Sequence, residues 1–168
     1  MWTGTVCKPM KNVKICPLRL LNSRLETEDG NCIAMLSSAM EPDAARLPRI
    51  PYVLRIYEDL DAPIPGRSFT EADAEAFARF LQSHTVAQTV YCCCDAGKSR
   101  SPAVAAAVLR YFGLDDSPIW NDPGYHPNML VFDLLTQALG IPVSDEEKDF
   151  LIHTNRTAFR KAIQAARQ

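Results

Sequence analysis

Thr89-Val-Tyr-Cys-Cys-Cys94-Asp-Ala-Gly97-Lys-Ser-Arg100-Ser101-Pro-Ala-Val-Ala-Ala-Ala-Val-Leu109 runs from an apolar, β-prone stretch, through a short turn, into a helix-forming stretch. A strand over Thr89 to Cys93 and a helix over Ala103 to Phe112, with Gly113 as its C-cap, are expected. The turn between them joins a thiol, Cys94, to a guanidinium, Arg100, across small residues. Backbone N–H groups at a helix N-terminus are unpaired and favour an anion. The same partial positive charge, with Arg100 nearby, favours the nucleophilic thiolate. A guanidinium presents a rigid fork of donors that matches two phosphoryl oxygens. Gly97 supplies a backbone position free of side-chain limits where the turn is sharpest. The stretch therefore reads as a loop that holds a phosphoryl group and attacks it.

The elements upstream fit a parallel sheet. Lys11 to Leu18 is a first strand, confined by Pro17 to an edge or an end. Cys32 to Ser37 is a second, opened by the Asp29-Gly30 turn, and Val53 to Tyr57 is a third. Ser68 and Glu71 have capping-box spacing, and Ala72, Ala76, Phe77, Phe80 and Leu81 recur on one helical face. Strand, loop, helix, strand is a βαβ unit. Downstream, Asp115 to Trp120 forms a short turn or helix. Pro127 suits the first position of a helix over Met129 to Leu139, ended by Gly140 and Pro142. Ser144 and Glu147 open a last, more polar helix. The expected fold is α/β, a small central, mostly parallel sheet of four to five strands flanked by helices.

Composition bounds the rest. The 168 residues, 47% hydrophobic, suffice for one core, so residues 1–168 are expected to form a single catalytic domain. A net charge of −2 advertises no nucleic-acid partner. No stretch approaches a membrane span, and residues 1–21 lack the apolar core of a signal peptide. The six cysteines (Cys7, Cys16, Cys32, Cys92, Cys93 and Cys94) lack zinc-site spacing and read as reduced thiols, so a soluble, cytoplasmic protein is expected. Gly97-Lys98-Ser99 matches the tail of a nucleoside-triphosphate P-loop, but Cys92 stands where that motif needs its first glycine.

The order Cys94-x5-Arg100-Ser101 resembles the signature loop of the cysteine-dependent protein tyrosine phosphatase superfamily, nearest its dual-specificity and small bacterial members. The strict match covers eight residues. The resemblance implies a dual-specificity-type phosphatase fold, Cys94 as nucleophile, Arg100 as phosphate clamp, Ser101 as a hydroxyl beside the sulfur, and phosphate bound by the loop from Asp95, Ala96, Gly97, Lys98 and Ser99 to Arg100. It implies no metal or other cofactor. Its substrates would be phosphorylated proteins, phosphotyrosine first, or small phosphomonoesters such as inositol phosphates, lipids or nucleotides; a non-catalytic phosphate-binding module is the alternative. Lys98 also occurs at this position in tensin-type lipid phosphatases, where it suits polyanionic substrates.

Ester cleavage needs a carboxylic acid to protonate the leaving oxygen. The loop Glu58-Asp59-Leu60-Asp61, after the third strand, supplies candidates: Asp59 fits the resembling enzymes best, Asp61 is the fallback, and Glu58 reads as a solvated side chain. The chain departs from the family at Cys93, where most members have His. A less strongly activated thiolate is expected, or compensation from another group, with His126 as a candidate. Cys92 and Cys93 also invite a redox role toward an oxidised Cys94, although packing is the preferred reading.

Overall fold

The computed structural model describes residues 12–25, 29–37 and 47–168. Lys11 and Cys7, which the sequence reading includes, lie outside them. Among the described residues four strands form one sheet: β1 (Asn12–Pro17), β2 (Gly30–Leu36), β3 (Tyr52–Ile56) and β4 (Thr89–Cys94). Their order is β1-β4-β2-β3, and every neighbouring pair is parallel. The helices are α1 (Leu21–Arg24), α2 (Glu71–Ser83), α3 (Arg100–Tyr111), α4 (Ser117–Trp120), α5 (Met129–Ala138) and α6 (Asp145–Ala166). Pro17 closes the edge strand β1, where its missing N–H takes no ladder bond from a second neighbour.

The two central strands, β2 and β4, are buried along their whole length, as expected of a parallel sheet covered on both faces. Alternation then sorts the side chains. Ile33, Met35, Val90, Cys92 and Cys94 pack against residues of α2, α3 and α5. Cys16, Cys32, Ala34, Leu36, Tyr91 and Cys93 face the other way, onto Leu18, Leu21 and Ile50. No helix among the described residues is long and apolar enough to cross a membrane.

Several helix starts differ from the sequence reading. The capping box of α2 is formed by Thr70 and Asp73, not by Ser68 and Glu71. Ser68 instead staples the preceding loop, its hydroxyl accepting from Ile64 N–H (2.8 Å) and donating to Ile64 C=O (3.1 Å). The shift moves the buried face to Ala74, Ala76, Phe77, Ala78 and Leu81, and leaves Ala72 exposed. Helix α3 begins at Arg100 rather than Ala103, because Pro102 sits in the first turn, where a missing N–H breaks no helical bond. Pro127 lies before α5 rather than inside it. Asn128 is the N-cap, its side-chain oxygen accepting from Val131 N–H at 3.1 Å. Ser144 caps α6 through Glu147 N–H, the pairing read from sequence.

Candidate active site

Strand β4 delivers Cys94 to the C-terminal edge of the sheet, and α3 starts six residues later. Between them the chain bends without turn hydrogen bonds. Gly97 has φ +70°, and a Cβ there would stand 3.0 Å from Pro17 N and 3.1 Å from Cys16 C. Any side chain at 97 would therefore meet both a disfavoured backbone conformation and the end of β1. The turn folds the loop back over the sulfur. Gly97 N–H donates to Cys94 Sγ at 3.2 Å, and the Ser101 hydroxyl, one residue into α3, donates to it at 2.7 Å. Cys94 itself is 2% exposed, at the floor of the loop.

Ser99 occupies the N-cap position of α3 but its side chain does not cap the helix. Its hydroxyl donates to Asp59 Oδ1 at 2.9 Å instead. Among the described residues the N–H groups of Ala96, Lys98 and Ser99 have no acceptor in the chain. Unpaired N–H groups beside a helix N-terminus favour a negative charge.

Arg100 is 4% exposed and held from two sides. One terminal nitrogen donates to Tyr57 C=O (2.8 Å) and the other to Asp95 Oδ2 (2.6 Å). Asp95 Oδ2 also accepts from the Ser37 hydroxyl (2.7 Å) and the Ser37 N–H (3.2 Å), tying the loop to the end of β2. Arg100 Nε, by contrast, is buried without a partner, as is Asp95 Oδ1. A buried guanidinium N–H left unpaired is expensive, which makes this donor the unsatisfied group of the site. Asp95 thus acts through its side chain as well as its position in the loop. Its charge is engaged by Arg100, while Lys98 is exposed with no ion pair among the described residues.

The three candidate acids separate clearly. Glu58 is engaged by Arg67, through two hydrogen bonds on the protein surface. Asp59 reaches the loop between β4 and α3: its Oδ1 accepts from both Ser99 Oγ and Asn128 Nδ2, the latter at 2.7 Å. Asp61 is exposed and makes no hydrogen bond among the described residues. Asp59 and Asp61 share the wall of a cavity of about 620 Å³ whose other lining includes Trp120, His126, Pro127, Met129 and Ile152. The segment leading to it is fixed by buried Asn155, which donates to the carbonyls of Trp120 and Tyr125.

Cys93 turns to the opposite face and is fully buried against Cys16, with the sulfurs 3.6 Å apart. Cys92 points to the same face as Cys94, as alternation along a regular strand requires. The His126 ring packs edge-on against Phe159 (centroids 5.1 Å apart). What His126 gives the loop is its backbone: its N–H donates to Lys98 C=O at 2.8 Å, and Asn128 N–H donates to Ser99 C=O at 3.2 Å. The loop is therefore held from the α5 side by main-chain bonds.

Sequence reasoning missed Asn128, Ser37 and the carbonyl of Tyr57. Asn128 left a trace as a polar residue just before an apolar helical run, the pattern of an N-cap. Ser37 and Tyr57 left none, because they reach the site only through strand order.

No family model matches the chain, and no curated protein does either. Solved structures do resemble it, at low identity. Tk-PTP in its active form is 14% identical, with 92% of this chain and 97% of that chain covered, at a TM-score of 0.45. Human DUSP28 is 17% identical over 92% and 94%, at a TM-score of 0.44. PTPMT1 in complex with PI(5)P is 16% identical over 86% of each chain, at a TM-score of 0.40.

Proposed function

We propose that this chain is a metal-independent phosphomonoester hydrolase that works through a phosphocysteine on Cys94, with protein phosphotyrosine as its substrate. The observation that carries the reading is the buried, unpartnered Nε of Arg100, set beside a loop of unpaired N–H groups that encloses a hydrogen-bonded sulfur. In the first step Cys94 attacks phosphorus in line with the leaving oxygen. Asp59 protonates that oxygen as the P–O bond breaks. The loop N–H groups and Arg100 meet the charge on the equatorial oxygens. Water then attacks phosphorus, passing a proton to Asp59, while the Ser101 hydroxyl stabilises the departing sulfur. The adjoining cavity, whose lining mixes Met129, Ile152 and Trp120 with His126 and Arg156, supports an aryl ester as the group that leaves.

Phosphate release in EDTA, screened across phosphotyrosine and phosphoserine peptides, inositol phosphates and nucleotides, tests both halves of the proposal. Turnover led by phosphotyrosine peptides and abolished in Cys94→Ser supports it. Turnover led by an inositol phosphate or a nucleotide reassigns the substrate. Turnover that survives Cys94→Ser overturns the mechanism, and phosphate binding without turnover makes the chain a binding module.

A further inference from the structure

Resting on that reading, we propose that Asn128 is the positioning residue for the proton donor: it fixes one oxygen of Asp59 so that the other carries the proton. Asn128 is 2% exposed, so its amide must find partners within the protein. Its oxygen accepts from Val131 N–H at 3.1 Å as the N-cap of α5. That bond settles which end of the amide is which, and turns the NH2 group toward the acid loop. One hydrogen goes to Asp59 Oδ1 (2.7 Å) and the other to Leu60 C=O (3.1 Å). Ser99 Oγ donates to the same Oδ1 from the phosphate-loop side.

An oxygen that already accepts two hydrogen bonds has no direction left for a proton of its own. Oδ1 is therefore the unprotonated oxygen of the carboxylic acid and Oδ2 bears the hydrogen. As the sulfur–phosphorus bond forms and the ester P–O bond breaks, the bonding pair leaves with the ester oxygen, which takes the Oδ2 proton. In the second step the attacking water returns a proton to Oδ2. Asn128 is tied by its own N–H to Ser99 C=O, so the acid is held relative to the loop that holds phosphorus.

Asn128→Asp removes the donated NH2. Asn128→Ser also caps a helix but places no carboxylate beside Asp59; it should show the same leaving-group bias, which excludes the added charge as its cause. Aspartate has the same shape and caps a helix as well as asparagine, but it has no NH2 to donate. The readout is the dependence of rate on leaving group, which a merely structural residue would not alter. A proton donor matters for a poor leaving group such as phenol and little for a good one such as dinitrophenol. Asn128→Asp is expected to lower kcat on phenyl phosphate by about 10- to 100-fold and on 2,4-dinitrophenyl phosphate by less than about threefold. In an Asp59→Asn background it should add no further loss on either ester. Ser99→Ala, which leaves the helix cap untouched, should show the same leaving-group bias at smaller size. Equal losses on the two esters, or full additivity with Asp59→Asn, would overturn the proposal. Were the wild type to hydrolyse neither ester, the hydrolase reading would fall and take this inference with it. Wild-type turnover that is lost in Cys94→Ser but unbiased in Asn128→Asp overturns the role of Asn128 alone.

Discussion

Cys93 and Cys94 are consecutive residues of β4, exposed to 0% and 2%, yet they sit in opposite chemical settings. Cys93 meets Cys16 at 3.6 Å and lies among Leu18, Leu21, Ala34 and Leu36. Its contact with Cys16 pulls its pKa down, but contact with Cys32, burial and the neighbouring thiols outweigh that pull, and the thiol is pushed far up. Cys94, one residue on, accepts from Gly97 N–H and Ser101 O–H. Depth does not separate these thiols. The period-2 alternation of the strand sends them to opposite faces, and only one face continues into a loop with donors to give.

The sharpest test of that contrast is to exchange the sulfurs for oxygen in turn. Cys94→Ser should lower turnover of an aryl phosphate by more than about 10³-fold, because a hydroxyl without an adjacent base is a weak nucleophile. Cys93→Ser should leave kcat within about threefold while lowering Tm, since a hydroxyl buried among thiols and aliphatic carbons lacks a strong acceptor. A comparable loss of turnover in both variants would break the comparison.

A second test lies on the anion side of Cys94. Arg100→Lys keeps the charge but not the planar fork, which here is gripped by Tyr57 C=O and Asp95 at its two ends. A lysine ammonium cannot make those two bonds and also present a donor where Nε stands. A loss of about 10²- to 10³-fold in kcat/KM is expected, in the range seen when one donor to a developing charge is removed. Asp95→Asn should cost less, about tenfold, because the amide keeps an acceptor for Arg100 and gives up only the charge. Steady-state kinetics on one aryl ester ranks the two.

The contrast also shows what could be read from the chain. The apolar, β-prone run from Thr89 to Cys94, with small residues after it and an alanine-rich run beyond, is a local signal, and it carried the strand, the loop and the helix. Pro17 was legible as an end for the same reason: a residue that donates no N–H has few places in a sheet. Ser68 and Glu71 misled because Thr70 and Asp73 have the same spacing, and only packing selects the frame. Asn128 was legible as a cap but not as a partner of Asp59, since the two are 69 positions apart and meet only once α5 docks. Ser37 and Asp95 meet for a similar reason, through the adjacency of β2 and β4. Contacts made by strand order leave no periodicity to find.

The smallest expected effect concerns what the thiol cluster does to stability. Burial first, then Cys16 and Cys94, push the Cys92 thiol up; contact with Cys93, then burial, do the same for Cys16. Burial also raises Tyr57. Each is an acid whose folded pKa lies above its unfolded one. Its contribution to stability is complete below the unfolded value, about 8.5 for a thiol and 10 for a tyrosine, and is lost as pH rises from there toward the folded value. Tm should therefore hold level up to about pH 8 and fall beyond it, with no matching fall on the thiols' account at neutral pH. Cys92→Ala should lower Tm at pH 7 by a few degrees, near the usual effect of one buried substitution. It should also make the alkaline decline shallower, because one titrating group is gone. A decline of unchanged steepness in Cys92→Ala would assign the alkaline sensitivity to Tyr57 and to the thiols Cys16 and Cys93 on the other face of the sheet.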